Sequence, residues 1–160
     1  MNFRPATLLF AVFFTISGQQ TDLFAPVIPA IRAKWRLPVR VPAQLPDLGV
    51  GQDRIYAVLG AAGKSHYEII LGFTPDCTGG TACRVGAVSA DAPPKKIAGK
   101  PVRLSRGIVG RFVDAVCGAN CSDSTVSWKQ GPASYTVGIK AGRLKELREM
   151  ANSAIANQPE

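Results

Sequence analysis

Arg54-Ile55-Tyr56-Ala57-Val58-Leu59-Gly60-Ala61-Ala62-Gly63-Lys64-Ser65-His66-Tyr67-Glu68-Ile69-Ile70-Leu71-Gly72-Phe73 is the stretch that decides the fold class. Two runs rich in β-branched and aromatic residues, 54–59 and 67–73, flank a small-residue segment at 60–65, and this pattern predicts a β-hairpin. In the second run Tyr67, Ile69, Leu71 and Phe73 alternate with Glu68, Ile70 and Gly72. A period of two places the odd positions on one face, which is expected to meet the core.

Working outward toward the C-terminus, the same signals recur. A strand is expected at 82–90. A hairpin follows at 101–104 and 108–116, turning near Ser105-Arg106-Gly107, and a last hairpin at 125–129 and 134–139 turns at Gln130-Gly131-Pro132. Only beyond them does the period change. Leu144, Leu147, Ala151, Ala154 and Ile155 recur at three- and four-residue spacing, the single apolar stripe of an amphipathic helix. Gly142 marks its start and Pro159 its aftermath, and Lys145 and Glu149 form a favourable pair on the wet side. A helix of about 14 residues is marginal alone in water, so its stripe must pack on the sheet. The expected class is α+β: a single antiparallel sheet of about six strands, with a C-terminal amphipathic helix on one face.

Toward the N-terminus the character differs. Pro26, Pro29, Pro38, Pro42 and Pro46 punctuate the chain. Each fixes its own torsion and pushes its predecessor toward extended geometry. The segment 19–46 therefore reads as an extended lead-in over the surface, with an edge strand near 39–41, ahead of a single domain at 47–157. Before it, Arg4 precedes an apolar stretch at 6–16 and small residues at Ser17 and Gly18. Residues 1–18 read as a secretory signal peptide, the apolar run being shorter than the ~20 residues that span a bilayer. No transmembrane span is expected in the mature chain.

The four cysteines fall as two local pairs, Cys77 with Cys83 and Cys117 with Cys121. Four cysteines permit three connectivities, and the local pairing is the natural one for a secreted or periplasmic chain. Spacings of C-x5-C and C-x3-C match neither the doubled C-x2–4-C of structural zinc nor the C-x-x-C of thiol redox motifs. No metal and no cofactor is expected. His66 is the one histidine, with Ser65 adjacent, and neither sits in a nucleophile motif. No calcium loop, P-loop or dinucleotide fingerprint is present, and no carboxylate pair marks a glycosidase. No catalytic residue is assigned.

Charge is the remaining signal. Nineteen basic residues against eleven acidic give a formal net charge of +8, one less once Arg4 leaves with the leader. Arg32, Lys34, Arg36 and Arg40 form an acid-free cluster around Trp35. Lys95, Lys96, Lys100, Arg103, Arg106 and Arg111 form a second, with no carboxylate between Asp91 and Asp114. A cationic surface of this kind favours an anionic polymer, lipid headgroups or an acidic protein. No specific nucleic-acid motif accompanies it.

Trp128-Lys129-Gln130-Gly131-Pro132-Ala133-Ser134-Tyr135, the helix ending Met150-Ala151-Asn152-Ser153-Ala154-Ile155, and the opening segment Leu37-Pro38-Val39-Arg40-Val41-Pro42-Ala43-Gln44-Leu45-Pro46 together resemble an uncharacterised bacterial extracytoplasmic domain. That family occurs beside anti-sigma-type membrane proteins and in exported proteins. The resemblance implies a curved sheet with no catalytic residues to carry over. From residues alone, Trp128 and Tyr135 read as a cross-strand aromatic pair. The expected function is an exported, non-enzymatic domain binding an anionic envelope partner through the basic hairpin. The alternative is a carrier of a lipid or other apolar ligand, in a cavity lined by Tyr67, Ile69, Leu71 and Trp128.

Overall fold

The computed structural model describes residues 23–48 and 54–157; the leader expected at 1–18 lies outside the described residues. Seven strands form one antiparallel, unclosed sheet: β1 (Tyr56–Ala62), β2 (His66–Gly72), β3 (Arg84–Asp91), β4 (Lys100–Arg103), β5 (Val109–Val113), β6 (Asp123–Gln130) and β7 (Ala133–Lys140). Their spatial order is β1-β2-β3-β7-β6-β5-β4. Two consecutive meanders thus meet along the β3–β7 seam, leaving β1 and β4 at the edges. Helix α2 (Leu144–Ala156) packs on β6 and β7. The α+β expectation holds, with seven strands rather than about six.

Alternation sets which face is buried. Tyr67, Ile69 and Leu71 are fully buried, as are Val126 and Trp128 on β6 and Val137 on β7, and all point to the face beneath α2. Phe73 departs from this pattern. It lies beyond the last residue of β2 and is exposed. On α2 the buried stripe is Leu147, Met150, Ala151, Ala154 and Ile155. Leu144 is exposed at the first turn, and Met150 takes part in the stripe instead. Arg143 caps the start, its backbone N–H and guanidinium both donating to Glu146, whose carboxyl is held below the usual carboxylate range by those bonds.

The N-terminal segment is where the sequence expectation fails. It is no surface lead-in. Phe24, Val27, Ile28, Ile31, Trp35, Val39, Val41 and Leu45 are buried in the same core cluster as the sheet. A short helix, α1 (Ile28–Arg32), runs through it. Pro29 is compatible because it stands at the start of the helix, where an amide hydrogen has no intrahelical partner to lose. Backbone bonds from Ile28 to Phe24 and from Ile31 to Val27 line up the apolar side chains. No strand forms near 39–41. Instead these residues run beside α2, so that segment and helix share one face of the sheet.

Their contacts are specific. The Arg40 backbone N–H donates to Tyr67 Oη (3.1 Å), and the Tyr67 hydroxyl donates back to the Arg40 carbonyl (3.2 Å). Trp35 meets the Tyr67 ring edge-on at 5.3 Å. Ala43 N–H donates to Ser153 Oγ, and Asn157 Nδ2 donates to the Val41 carbonyl. Arg40, 5% exposed, sends Nη1 to the Ile155 carbonyl at 2.8 Å and lies over the Tyr135 ring at 5.8 Å. That carbonyl belongs to the last turn of α2, where backbone dipoles leave partial negative charge and the helix has no basic residue of its own. Arg40 supplies it from 115 residues away.

Both disulfides form as the local pairing requires, Cys77 with Cys83 and Cys117 with Cys121. The first closes the β2–β3 connection and the second the β5–β6 connection, so each fixes the ends of two neighbouring strands. Disulfides of this kind belong to an oxidising compartment. Among the described residues no helix is long and apolar enough to cross a membrane.

Candidate functional site

One face of the sheet is consumed by α2 and the N-terminal segment, so recognition must use the other face, the edges or the loops. The basic hairpin is an edge. Lys100 and Arg103 stand on β4, Arg106 at the tip of the turn, Arg111 on β5, and Lys96 in the connection before β4; all five are exposed. Pro101 on β4 and the short length of that strand suit a terminal position, since proline cannot donate to a further neighbour.

The turn is rigidly placed. Arg106 and Gly107 both take positive φ, 56° and 71°. This reverses the chain within three residues and leaves the Arg106 side chain at the tip. Leu104 N–H donates to the Ile108 carbonyl across the base, and Ser105 N–H donates to Asn152 Oδ1 on α2 at 2.7 Å. Buried Leu104 packs against Gly110, where a Cβ would come within 2.7 Å of its methyl group.

Register then sorts the cations by face. Pro101 opposes Arg111 and Arg103 opposes Val109. Arg103 and Arg111 therefore lie diagonally on the outer face of the sheet, within reach of one ligand. Val109 and Val113 share that face by alternation, while Phe112 turns toward the core. Continuing across the sheet, Arg111 opposes Ser127, and Ser127 opposes Thr136, whose hydroxyls lie 2.8 Å apart. The two exposed valines escaped the sequence reading. Their signal was the spacing Val109-Arg111-Val113 within a strand whose faces had not been assigned.

Lys95 is the cation the structure removes from the group. Its Nζ lies 2.6 Å from Asp91 Oδ1, and the same oxygen is 2.9 Å from His66 Nδ1. The acid-free interval counted from Asp91 onward had left Asp91 itself out. Among the described residues no ion pair joins Lys96, Lys100, Arg103, Arg106 or Arg111 to a carboxylate. Arg111 donates one bond, to the Gly99 carbonyl. The first basic cluster is also broken up: Arg40 and Trp35 are in the core, while Arg32, Lys34 and Arg36 face outward.

Tyr67, Ile69, Leu71 and Trp128, the lining expected of an apolar carrier, have essentially no accessible surface. Trp128 instead stacks on Tyr135 across the β6–β7 pair at 5.7 Å, as the cross-strand reading expects. Burial pushes the Tyr67 phenol far above its ordinary value and the Tyr135 phenol upward too. Two open depressions flank α2, of about 440 and 200 Å³. In the larger, Arg143 and Glu146 bond each other and Lys140 Nζ is held by the Thr81 carbonyl, so that much of its charge is already used.

No protein-family model, no curated protein and no solved structure matches the chain. The resemblance built on Trp128, Gly131, Tyr135, the helix after them and the opening segment 37–46 therefore rests on those residues alone.

Proposed function

We propose that this chain is an exported, non-enzymatic domain, released by cleavage of its leader into the periplasm or the extracellular space, that binds an anionic partner through the β4–β5 hairpin. The observation that carries it is five exposed cations, four on one hairpin and Lys96 in the connection leading into it, none in an ion pair with a described carboxylate. Uncompensated charge of one sign on a rigid edge raises the local concentration of counter-charged partners and speeds their encounter. The two disulfides support the compartment. His66, the one histidine, sits against an aspartate that Lys95 already engages, an arrangement that serves as a strand-end clasp.

The test is charge reversal at three positions, Lys100→Glu, Arg103→Glu and Arg106→Glu. Binding to anionic lipid vesicles and to dextran sulfate is measured across a salt series. The wild-type chain is expected to bind at least one of them, with affinity falling as salt screens the contact, and the triple variant to lose it. Unchanged binding by the variant refutes the hairpin as the site.

A further inference from the structure

We infer that the outer face of the β4–β5 edge docks on a bilayer rich in anionic phospholipid, a reading that rests on the anion-binding function proposed above and narrows its partner. Charge alone would serve any polyanion. What distinguishes this face is that its cations are interleaved with exposed apolar side chains. Val109 is 61% exposed and Val113 42%, and Arg111 stands between them on the same face of the same strand. Arg103 lies beside Val109 on β4. Just beyond the strand, Val116 is 77% exposed.

A hydrated polysaccharide gains nothing from the isopropyl groups of these valines held in water. A bilayer surface gains from both kinds of side chain at once. The valines enter the headgroup boundary, while the long arginine stems lie along the apolar layer and keep their guanidinium groups at the phosphates. The nearest carboxylate along the strand is turned away from this face, toward buried Ser124. Asp114 follows β5, and its Oδ1 accepts from the Ala115 N–H and the Ser124 hydroxyl. The edge is also rigid, being tied to α2 through Ser105 and Asn152, so little ordering is lost on docking.

The experiment uses the full chain, vesicles of phosphatidylglycerol with phosphatidylcholine, vesicles of phosphatidylcholine alone, and dextran sulfate as a soluble polyanion. Two double variants are compared, Val109→Ser with Val113→Ser and Arg103→Gln with Arg111→Gln. The wild type is expected on the anionic vesicles and not on the neutral ones. The valine variant should bind anionic vesicles about tenfold or more weakly, from the lost apolar burial, with dextran sulfate affinity unchanged. The arginine variant should lose about fivefold per cation on the vesicles. If the valine variant holds full vesicle affinity, or the wild type binds dextran sulfate but not vesicles, the bilayer inference is overturned while anion binding stands. If the wild type binds neither anionic probe, the function reading fails with it. A Val109→Trp variant gives a readout independent of affinity. Trp35 and Trp128 are buried and supply a constant background, so docking must shift the added emission to the blue on anionic vesicles. No shift at saturating vesicle overturns the inference.

Discussion

Removing one oxygen atom tests how the N-terminal segment is held. In Tyr67→Phe the ring stays, with its edge-on contact to Trp35 at 5.3 Å, and only the hydroxyl is lost. That hydroxyl is the partner of both the Arg40 N–H and the Arg40 carbonyl, at 3.1 and 3.2 Å. Arg40 is buried beside α2, so no water replaces it without opening the packing. A buried backbone group left without a partner costs about 1–3 kcal/mol, the carbonyl less than the N–H, which sets the expected loss at ~2–3 kcal/mol. For a chain of this size that corresponds to a melting temperature lower by about 6–9 °C. The comparison that isolates the effect is Tyr135→Phe. Its hydroxyl donates one bond, to the carbonyl of Pro38, an exposed residue that solvent can reach. Its cost should fall below ~1 kcal/mol. Both variants are measured by urea unfolding with disulfides intact, where the midpoint should move and the slope should not. Equal costs for the two substitutions would refute the argument that the Tyr67 hydroxyl satisfies a buried backbone group at Arg40 that water cannot reach.

Three further outcomes follow from the same physical terms. Gly86→Ala should be among the most damaging single changes, because its Cβ would lie 2.1 Å from the Gly138 carbonyl oxygen at the β3–β7 seam. Backbone cannot yield there, so we expect loss of soluble folded protein, or a penalty above ~3 kcal/mol by urea unfolding. Replacing either cysteine pair by alanine should cost about 2 kcal/mol in lost chain constraint. The Cys77–Cys83 pair should cost more, because Cys77 is buried against Gly72 whereas the Cys117–Cys121 loop is largely exposed; equal melting temperatures would contradict this. Finally, burial raises the phenols of Tyr67 and Tyr135, two of three tyrosines, above the ordinary value of 10.0. Their neutral forms are the ones the fold accepts, so this contribution is intact below pH ~10 and is lost as pH climbs beyond it. Ultraviolet phenolate absorbance should show two tyrosines ionising only above that value, or together with alkaline unfolding; all three ionising near 10 in folded protein would contradict it.

What the sequence disclosed and what it hid divide along a physical line. Period-two alternation at Tyr67, Ile69 and Leu71, the helical stripe through Leu147, Ala151 and Ile155, and cysteines a few residues apart are local signals, and each was legible. Segment 24–46 was misread because five prolines spoke louder than its apolar spacing. Phe24, Val27, Ile28, Ile31 and Trp35 do recur at helical intervals, and that stripe could have been seen. Arg40 could not. Its partners are a carbonyl 115 residues away and a ring on β7, and nothing near it in the chain marks a buried guanidinium. For the candidate site, the cations were legible as a run. The loss of Lys95 to Asp91 and the facing of Arg103, Arg111, Val109 and Val113 needed the register of the β4–β5 pair.

The way the core is closed bears directly on where function can lie. A single open sheet has two faces, and one helix of 13 residues cannot cover seven strands. The chain answers with a second cover, the N-terminal segment, locked to α2 by Arg40, Ala43 and Asn157 and to β2 by Tyr67. This leaves β6, β7, β2 and β3 sealed on the inner side and commits their aromatic residues to packing. The β4–β5 hairpin lies at the margin of that cover, anchored by Val102, Leu104 and Phe112 on its inner face and by the Ser105 N–H bond to Asn152 on α2, with its outer face turned to solvent. Substitutions of its outward cations and of Val109 and Val113 alter charge and apolar exposure without entering the core. The basic edge is therefore the part of this fold most free to be shaped by a partner, and the part whose variants report on binding rather than on folding.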